Sequence, residues 1–306
     1  MQISFFEEFP TKENLARIKF LQWPAKLYLA APSLTAFKAL KQKIKSKNIT
    51  QVIYWPVLDK KEGYWISPIS DRKALLRIFE ELWGKNIPVM LDLEIPSRKK
   101  IKLYFKALAN FKDNKQLIRN FINNYKAPIY LAEYYPEGGW KERMLEWWGL
   151  HYNNGHVRVI KMMYRSMHHF SENTLKKECR LGLQQHGKKF CIALGTIATG
   201  VNGHEPLLSG LQLRNDLKTA KKLGVSEGII FRLGGLNEVH QKNISEALEM
   251  ENNFRDIKQF VRKAQPPQLE IIRELTANKE KKTKKNFVKE KTAAKIIKAK
   301  IQDIPG

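Results

Sequence analysis

The stretch Ile87-Pro88-Val89-Met90-Leu91-Asp92-Leu93-Glu94-Ile95-Pro96 is apolar at successive positions until it meets two carboxylates near its end. A short run with no polar face fits a strand covered on both sides, as parallel strands are when helices flank them. Residues i and i+2 of a strand share a face, so Asp92 and Glu94 point the same way, with Met90 before them. Leu91 and Leu93 take the other face. Two neighbouring carboxyls at the mouth of an apolar strand repel each other and resist burial in the charged form. Their proton affinities are expected to separate, one group ionised and the other protonated near neutral pH, which is the equipment of general acid catalysis. The plainer alternative leaves both in solvent at a strand end.

Working outward, seven more apolar runs of similar length alternate with helical patterns. Strands are expected at 3–9, 26–31, 51–56, 87–94, 128–134, 156–164, 189–195 and 227–233. Helices are expected at 11–22, 34–48, 71–84, 97–124, 139–150, 171–186, 209–223 and 237–262. Thr11, Ser33 or Thr35, and Ser70-Asp71 are suited to start helices. Gly84, Gly187 and Gly224 are suited to end them just before the next strand. Eight strand–helix units of roughly 30 residues predict a single (β/α)8 TIM barrel over 1–262. An open doubly wound sheet is the other arrangement this alternation allows, but no G-x-G-x-x-G follows the first strand.

The 306 residues, 43% of them hydrophobic, are enough for such a barrel and its core. From Gln265-Pro266-Pro267 the composition changes to a lysine-rich tail, 263–306, with Lys279, Lys281, Lys282, Lys284 and Lys285 in one cluster. Ile296, Ile297 and Ile301 could form the apolar side of a short helix there. The stretch from Pro266 onward contributes +6 of the +25 net charge, so most of the basicity lies on the barrel. Such a surface attracts polyanions without specificity, and the tail is the natural tether. Cys179 and Cys191 read as buried thiols with no disulfide framework. No basic leader precedes an apolar core at the N-terminus, and no apolar window of ~18 residues exists. A cytoplasmic protein without a transmembrane segment is therefore expected.

Barrel chemistry sits at the C-terminal ends of the strands. The acids there are Glu7 and Glu8 on the first strand, Asp92 and Glu94 on the fourth, and Glu133 on the fifth. The sixth strand reads Val159-Ile160-Lys161-Met162-Met163-Tyr164-Arg165, in which Met162 and Tyr164 share a face. A phenol would thus reach the same mouth, either toward a reacting group or onto a backbone carbonyl.

Together, Asp92-Leu93-Glu94-Ile95-Pro96 and Met162-Met163-Tyr164-Arg165 resemble the chitinase-type (family eighteen) glycoside hydrolases. In that family the fourth strand ends D-x-x-D-x-D-x-E and the sixth carries M-x-Y-D. The resemblance implies that Glu94 protonates the glycosidic oxygen. It implies that Asp92 orients the substrate's 2-acetamido group, which serves as nucleophile, and that Tyr164 hydrogen-bonds the resulting oxazolinium. The chain departs from the pattern at Ile87 and Met90, where the family has aspartates, at Arg165 after the tyrosine, and at Arg232, near the place of a tryptophan under the sugar.

Arg165 and Arg232 would suit an acidic glycan, since arginine forks carboxylates and phosphates, unless they pair with Glu133 or Glu7. Trp55, Tyr64, Trp65, Tyr134, Tyr135 and Trp140 lie where sugar faces could stack, with Trp147 and Trp148 within a helix. The expected site is therefore Glu94, Asp92 and Tyr164 as catalytic groups, with Glu7, Trp55, Glu133, Tyr135, Trp140, Arg165 and Arg232 as ligand contacts, and no cofactor. Two other classes stay open. The glycine-rich loops 195–203 and Gly234-Gly235 would suit a phosphate-binding lyase or isomerase with Lys161 as electrophile, although the parity of Lys161 opposes that of Tyr164. A non-enzymatic, basic polyanion-binding barrel is the third. His168, His169 and His204-Glu205 lack metal-ligand spacing, so no metal is expected.

Overall fold

The computed structural model describes residues 1–95, 110–134, 139–152 and 154–248. Eight strands form the wall of a closed barrel: β1 (Gln2–Glu7), β2 (Ala25–Ala31), β3 (Ile49–Pro56), β4 (Val89–Asp92), β5 (Ile129–Glu133), β6 (Arg158–Met163), β7 (Phe190–Leu194) and β8 (Glu227–Phe231). Each runs parallel to both neighbours, and β8 closes on β1 through Gln2 opposite Glu227 and Phe6 opposite Phe231. The expected (β/α)8 barrel is the fold.

Alternation along each strand separates two apolar layers. Phe6, Tyr28, Trp55, Met90, Tyr130, Ile160, Met162 and Ile229 fill the lumen. Phe5, Leu27, Tyr54, Leu91, Leu93, Leu131, Val159, Met163 and Ile230 pack outward against the helices. Every strand carries buried apolar residues of both parities, which a parallel barrel requires and a one-sided sheet does not. At the N-terminal end the lumen is plugged by Glu227, which accepts from Ser4 (2.7 Å), Tyr28 (2.9 Å) and Lys26 (2.7 Å). The opposite end is left for the site.

The coat helices begin where the sequence offers capping side chains. Thr11 caps Lys12–Leu15 by accepting from Asn14 N–H, Ser33 caps Leu34–Lys43, and Asp71 caps Arg72–Leu82 by accepting from Lys73 and Ala74. Ser171 and Ser209 do the same for Glu172–His186 and Gly210–Leu223. Phe111–Asn124, Gly139–Trp147 and a helix at 238–248 also belong to the coat. The helix expected at 11–22 tightens after its first turn into a 3-10 segment, Ala16–Phe20, and a short helix, Arg165–His168, was not expected. The first part of the helix expected at 97–124, the barrel boundary at 262 and the lysine-rich tail lie outside the described residues. No helix among the described residues is long and apolar enough to cross a membrane.

The loops after β7 and β8 are locked together. Ile197 N–H donates to the Phe231 carbonyl at 2.6 Å. A Cβ on Gly235 would lie 1.9 Å from the Ile197 carbonyl oxygen, so only glycine fits that crossing. Gly235→Ala is expected to destabilise the protein by about 1–3 kcal/mol as the two loops are forced apart. Urea denaturation checks this, and an unchanged midpoint would show that the loops part freely.

Candidate active site

β4 and β6 deliver their polar ends to the same side of the lumen. Met90 sits in the inner layer, so Asp92 and Glu94 continue inward beyond it while Leu91 and Leu93 stay in the coat. On β6, Met162 and then Tyr164 take the inward positions. Asp92, Glu94 and Tyr164 thus line one pocket of about 70 Å³ at the C-terminal mouth, with Trp55 and Trp65 among its walls. This is smaller than the roughly 300–1,000 Å³ of a cavity that encloses a whole ligand, so the mouth has room for one group of a larger molecule.

Burial sets the chemistry of the pair. Asp92 is 4% exposed, and desolvation, with the charges of Glu94 and Glu8 next to it, pushes its carboxyl well above the usual range. Desolvation raises Glu94 to about 7, against hydrogen bonds from Tyr134 and from Asp92 that favour its ionised form. Tyr134 O–H donates to Glu94 Oε2 at 3.1 Å. Asp92 therefore holds its proton and donates it toward Glu94, whose own proton is exchangeable near neutrality. Asp92 Oδ1 has no hydrogen-bond partner among the described residues. Burial and the three nearby carboxyls push the Tyr164 phenol up as well, so it stays a donor.

The other expected contacts are distributed unevenly. Trp55, 2% exposed on β3, lines the pocket. Trp140 projects from the coat helix and is 67% exposed, away from the pocket. Tyr135 lies outside the described residues. Glu7 points outward, because its neighbour Glu8 takes the inward position, and it accepts from Arg232 (3.0 Å) and from Gly234 N–H (2.7 Å). Arg232 spends a second donor on the Thr199 carbonyl, 2.8 Å away. Arg165 pairs with Asp216 at 3.2 Å. Neither arginine lines the pocket, which removes the basis for an acidic glycan.

Glu133 is also an outward residue. It is fully buried between Lys161 (3.1 Å) and His151 Nδ1 (2.6 Å). Burial alone would raise its carboxyl, but Lys161 and His151 outweigh that and hold it below the usual range. Lys161 belongs to this network in the coat, which corrects its candidacy as an electrophile in the lumen. The phosphate-cradle alternative meets a similar obstacle. Amides that could hold a phosphate are taken by the chain's own carboxylates, Gly200 and Asn202 by Glu205 (2.9 and 3.0 Å) and Gly234 by Glu7. Among the described residues, no three His, Cys, Asp or Glu side chains are grouped to hold a metal ion.

Residues outside the expected set of catalytic groups and ligand contacts also line the mouth. Glu8, Glu205, Thr196, Asn202 and Phe231 are among them, and Tyr64 donates to Glu8 at 2.7 Å. Glu8 was visible as a strand-end acid, and its parity, opposite to that of Glu7, was the available signal. The loop 195–203 was read only as a phosphate cradle and His204-Glu205 only against a metal site, because their positions at the mouth depend on how the loops after β7 and β8 cross.

No protein-family model and no curated protein matches this chain. Solved structures of similar fold do. The spore cortex-lytic enzyme SleL of Bacillus megaterium QM B1551 is 11% identical with a TM-score of 0.45, over 80% of this chain and 73% of that one. A chitinase from Chromobacterium violaceum ATCC 12472 is 7% identical with a TM-score of 0.48, over 81% and 98%. A D-tagatose 3-epimerase-like protein is 12% identical with a TM-score of 0.48, over 83% and 99%. The likeness is one of fold. Barrels named for glycan hydrolysis and for isomerisation stand side by side in it, so function rests on the site's own residues.

The raised carboxyls have a consequence for stability. Glu8 is also pushed up to about 7, chiefly by burial. A folded-state value above the unfolded one contributes stability that is complete below the ordinary carboxylate range, near 4.5, and is lost as pH rises through about 7. Ionising each group costs on the order of 1–3 kcal/mol of stability. The melting temperature is expected to fall by several degrees between pH 5 and pH 8, and Glu8→Gln/Glu94→Gln should remove most of that fall. An identical pH slope in the double variant would mean that these carboxyls titrate normally.

Proposed function

We propose that this barrel is a glycoside hydrolase that acts on an N-acetylated glycan through the inward carboxyls of β4. The observation that carries the proposal is the meeting of Asp92, Glu94 and Tyr164 in one aromatic-walled pocket, with Glu94 poised at about 7. A general acid works best when its proton affinity lies near the working pH.

Glu94 gives its proton to the glycosidic oxygen as the bond to the anomeric carbon breaks. The substrate's own acetamido oxygen attacks that carbon, so no second enzyme nucleophile is needed. Oδ1 of Asp92, buried and without a partner among the described residues, is the acceptor assigned to the acetamido N–H, which aims the oxygen. The other side of Asp92 keeps its proton and donates it toward Glu94. That bond stabilises Glu94 as a carboxylate once its proton has left. Tyr164 donates to the acetamido oxygen as it becomes part of the cyclic cation. Water then opens the ring, with Glu94 as base. Met90 stands where the resembling family has an aspartate, and Glu94 is the partner through which Asp92 keeps its proton here.

Trp55 and Trp65 support the reading as flat walls for sugar faces. The absence of Lys, Arg and His from the described lining argues for a neutral or cationic sugar over an acidic one.

Hydrolysis of fluorogenic N-acetyl-chitooligosaccharides tests this. Glu94→Gln should lower kcat by about 10²–10⁴-fold with the melting temperature retained, and Tyr164→Phe should lower kcat more than it changes KM. The rate should fall above about pH 7 as Glu94 loses its proton. No turnover by the wild type, or full turnover by Glu94→Gln, would rule the proposal out.

A further inference from the structure

The pocket that holds Asp92 and Glu94 carries two more carboxyls, Glu8 and Glu205, and no basic side chain among its described lining residues. In a chain of net charge +25 this local reversal of sign needs a cause. Glu205 is committed to the amides of Gly200 and Asn202 and contributes only its charge. Glu8 is different. It is 5% exposed, takes one hydrogen bond from Tyr64 on Oε1, and leaves Oε2 without a partner among the described residues. A buried acceptor left unmade is costly, and its natural complement is a ligand donor.

A second unmet group lies in the same pocket. Trp55 is 2% exposed, and its indole N–H has no partner among the described residues. Glu8 and Trp55 both line the pocket, and an acceptor and a donor without partners among the described residues match a ring that carries both an amine and a hydroxyl. The charges around Glu8 favour the amine in its protonated form. Glu205 and, once ionised, Glu94 bear on Glu8, and the guanidinium of Arg232, which also reaches Glu8 electrostatically, is spent on Glu7 and Thr199.

We infer that Glu8 forms an ammonium subsite, so that the preferred glycan carries a free amino sugar next to the N-acetylated unit that meets Asp92 and Glu94. The N-acetylated unit rests on the proposed function, whereas the ammonium subsite depends only on Glu8 and its pocket. When the ammonium docks, the Glu8 carboxyl releases its proton to solvent and the ion pair forms.

Isothermal titration at pH 7 separates the two claims. The probes are a fully N-acetylated chitotetraose and a half-deacetylated one, titrated into a Tyr164→Phe background that keeps every carboxyl and slows turnover. The half-deacetylated ligand should bind at least tenfold more tightly and release protons, seen as a dependence of the heat on the buffer. Glu8→Gln, which keeps its size and its bond to Tyr64, should erase that preference and the proton release while leaving the fully acetylated ligand nearly unchanged. Equal binding of the two ligands, binding of neither, or an equal loss for both in Glu8→Gln would overturn the inference. A retained preference with no hydrolysis by the wild type would overturn the hydrolase proposal and leave the ammonium subsite standing.

Discussion

A closed ring of parallel strands gives each side chain two destinations, the lumen or the helical coat, and no third. Everything at the mouth of this barrel follows from that parity. Glu7 and Glu8 are neighbours in sequence yet belong to different worlds, one bonded to Arg232 in the coat and the other facing the pocket. Glu133 and Tyr134 divide in the same way. The barrel sorts charge as well as size. Lys161, Arg165 and Arg232 each find a carboxyl away from the pocket, and no Lys, Arg or His is among the described residues that line it. The described mouth of a strongly basic protein is thus acidic.

That sorting explains why the pocket's protons are held so tightly. A carboxyl in low dielectric with no cation keeps its proton, and two of them in contact divide the roles of holder and donor. Asp92 and Glu94 divide those roles because Tyr134 and Asp92 both donate to Glu94, while Asp92 has an oxygen to spare. The difference between the two acids lies in what surrounds them. Their spacing alone would allow either to be the donor.

The sequence carried the strands well, because apolar runs of both parities are a local property. All eight begin and end within two residues of their expected bounds, and the capping residues Thr11, Ser33 and Asp71 act as their types suggest. The shared inward face of Asp92 with Met90, and of Tyr164 with Met162, was likewise a matter of counting by twos. Partners were harder. That Arg232 would be consumed by Glu7, or Arg165 by Asp216, depends on contacts across 225 residues in the first case and on a short unforeseen helix in the second. Trp140 resembled a sugar platform in sequence because aromatic type says nothing about direction, and its helix turns it to solvent. Glu8 and Glu205 gained meaning only when the loops after β7 and β8 were folded over the mouth.

The buried Lys161 has an effect that reaches inside the wall. Its ammonium bonds Glu133 at 3.1 Å and also the carbonyl of Tyr134 at 3.2 Å, so it fixes the peptide from which the phenol reaches Glu94. An electrostatic clamp in the coat therefore sets the pose of an acid–phenol contact in the lumen. Inserting or deleting one residue before Glu133 would swap inside for outside, sending the carboxylate toward the pocket and the phenol toward the ammonium. The terminus of the fifth strand is thus a place where length matters more than side-chain identity, and drift in loop size has to be absorbed farther along the chain.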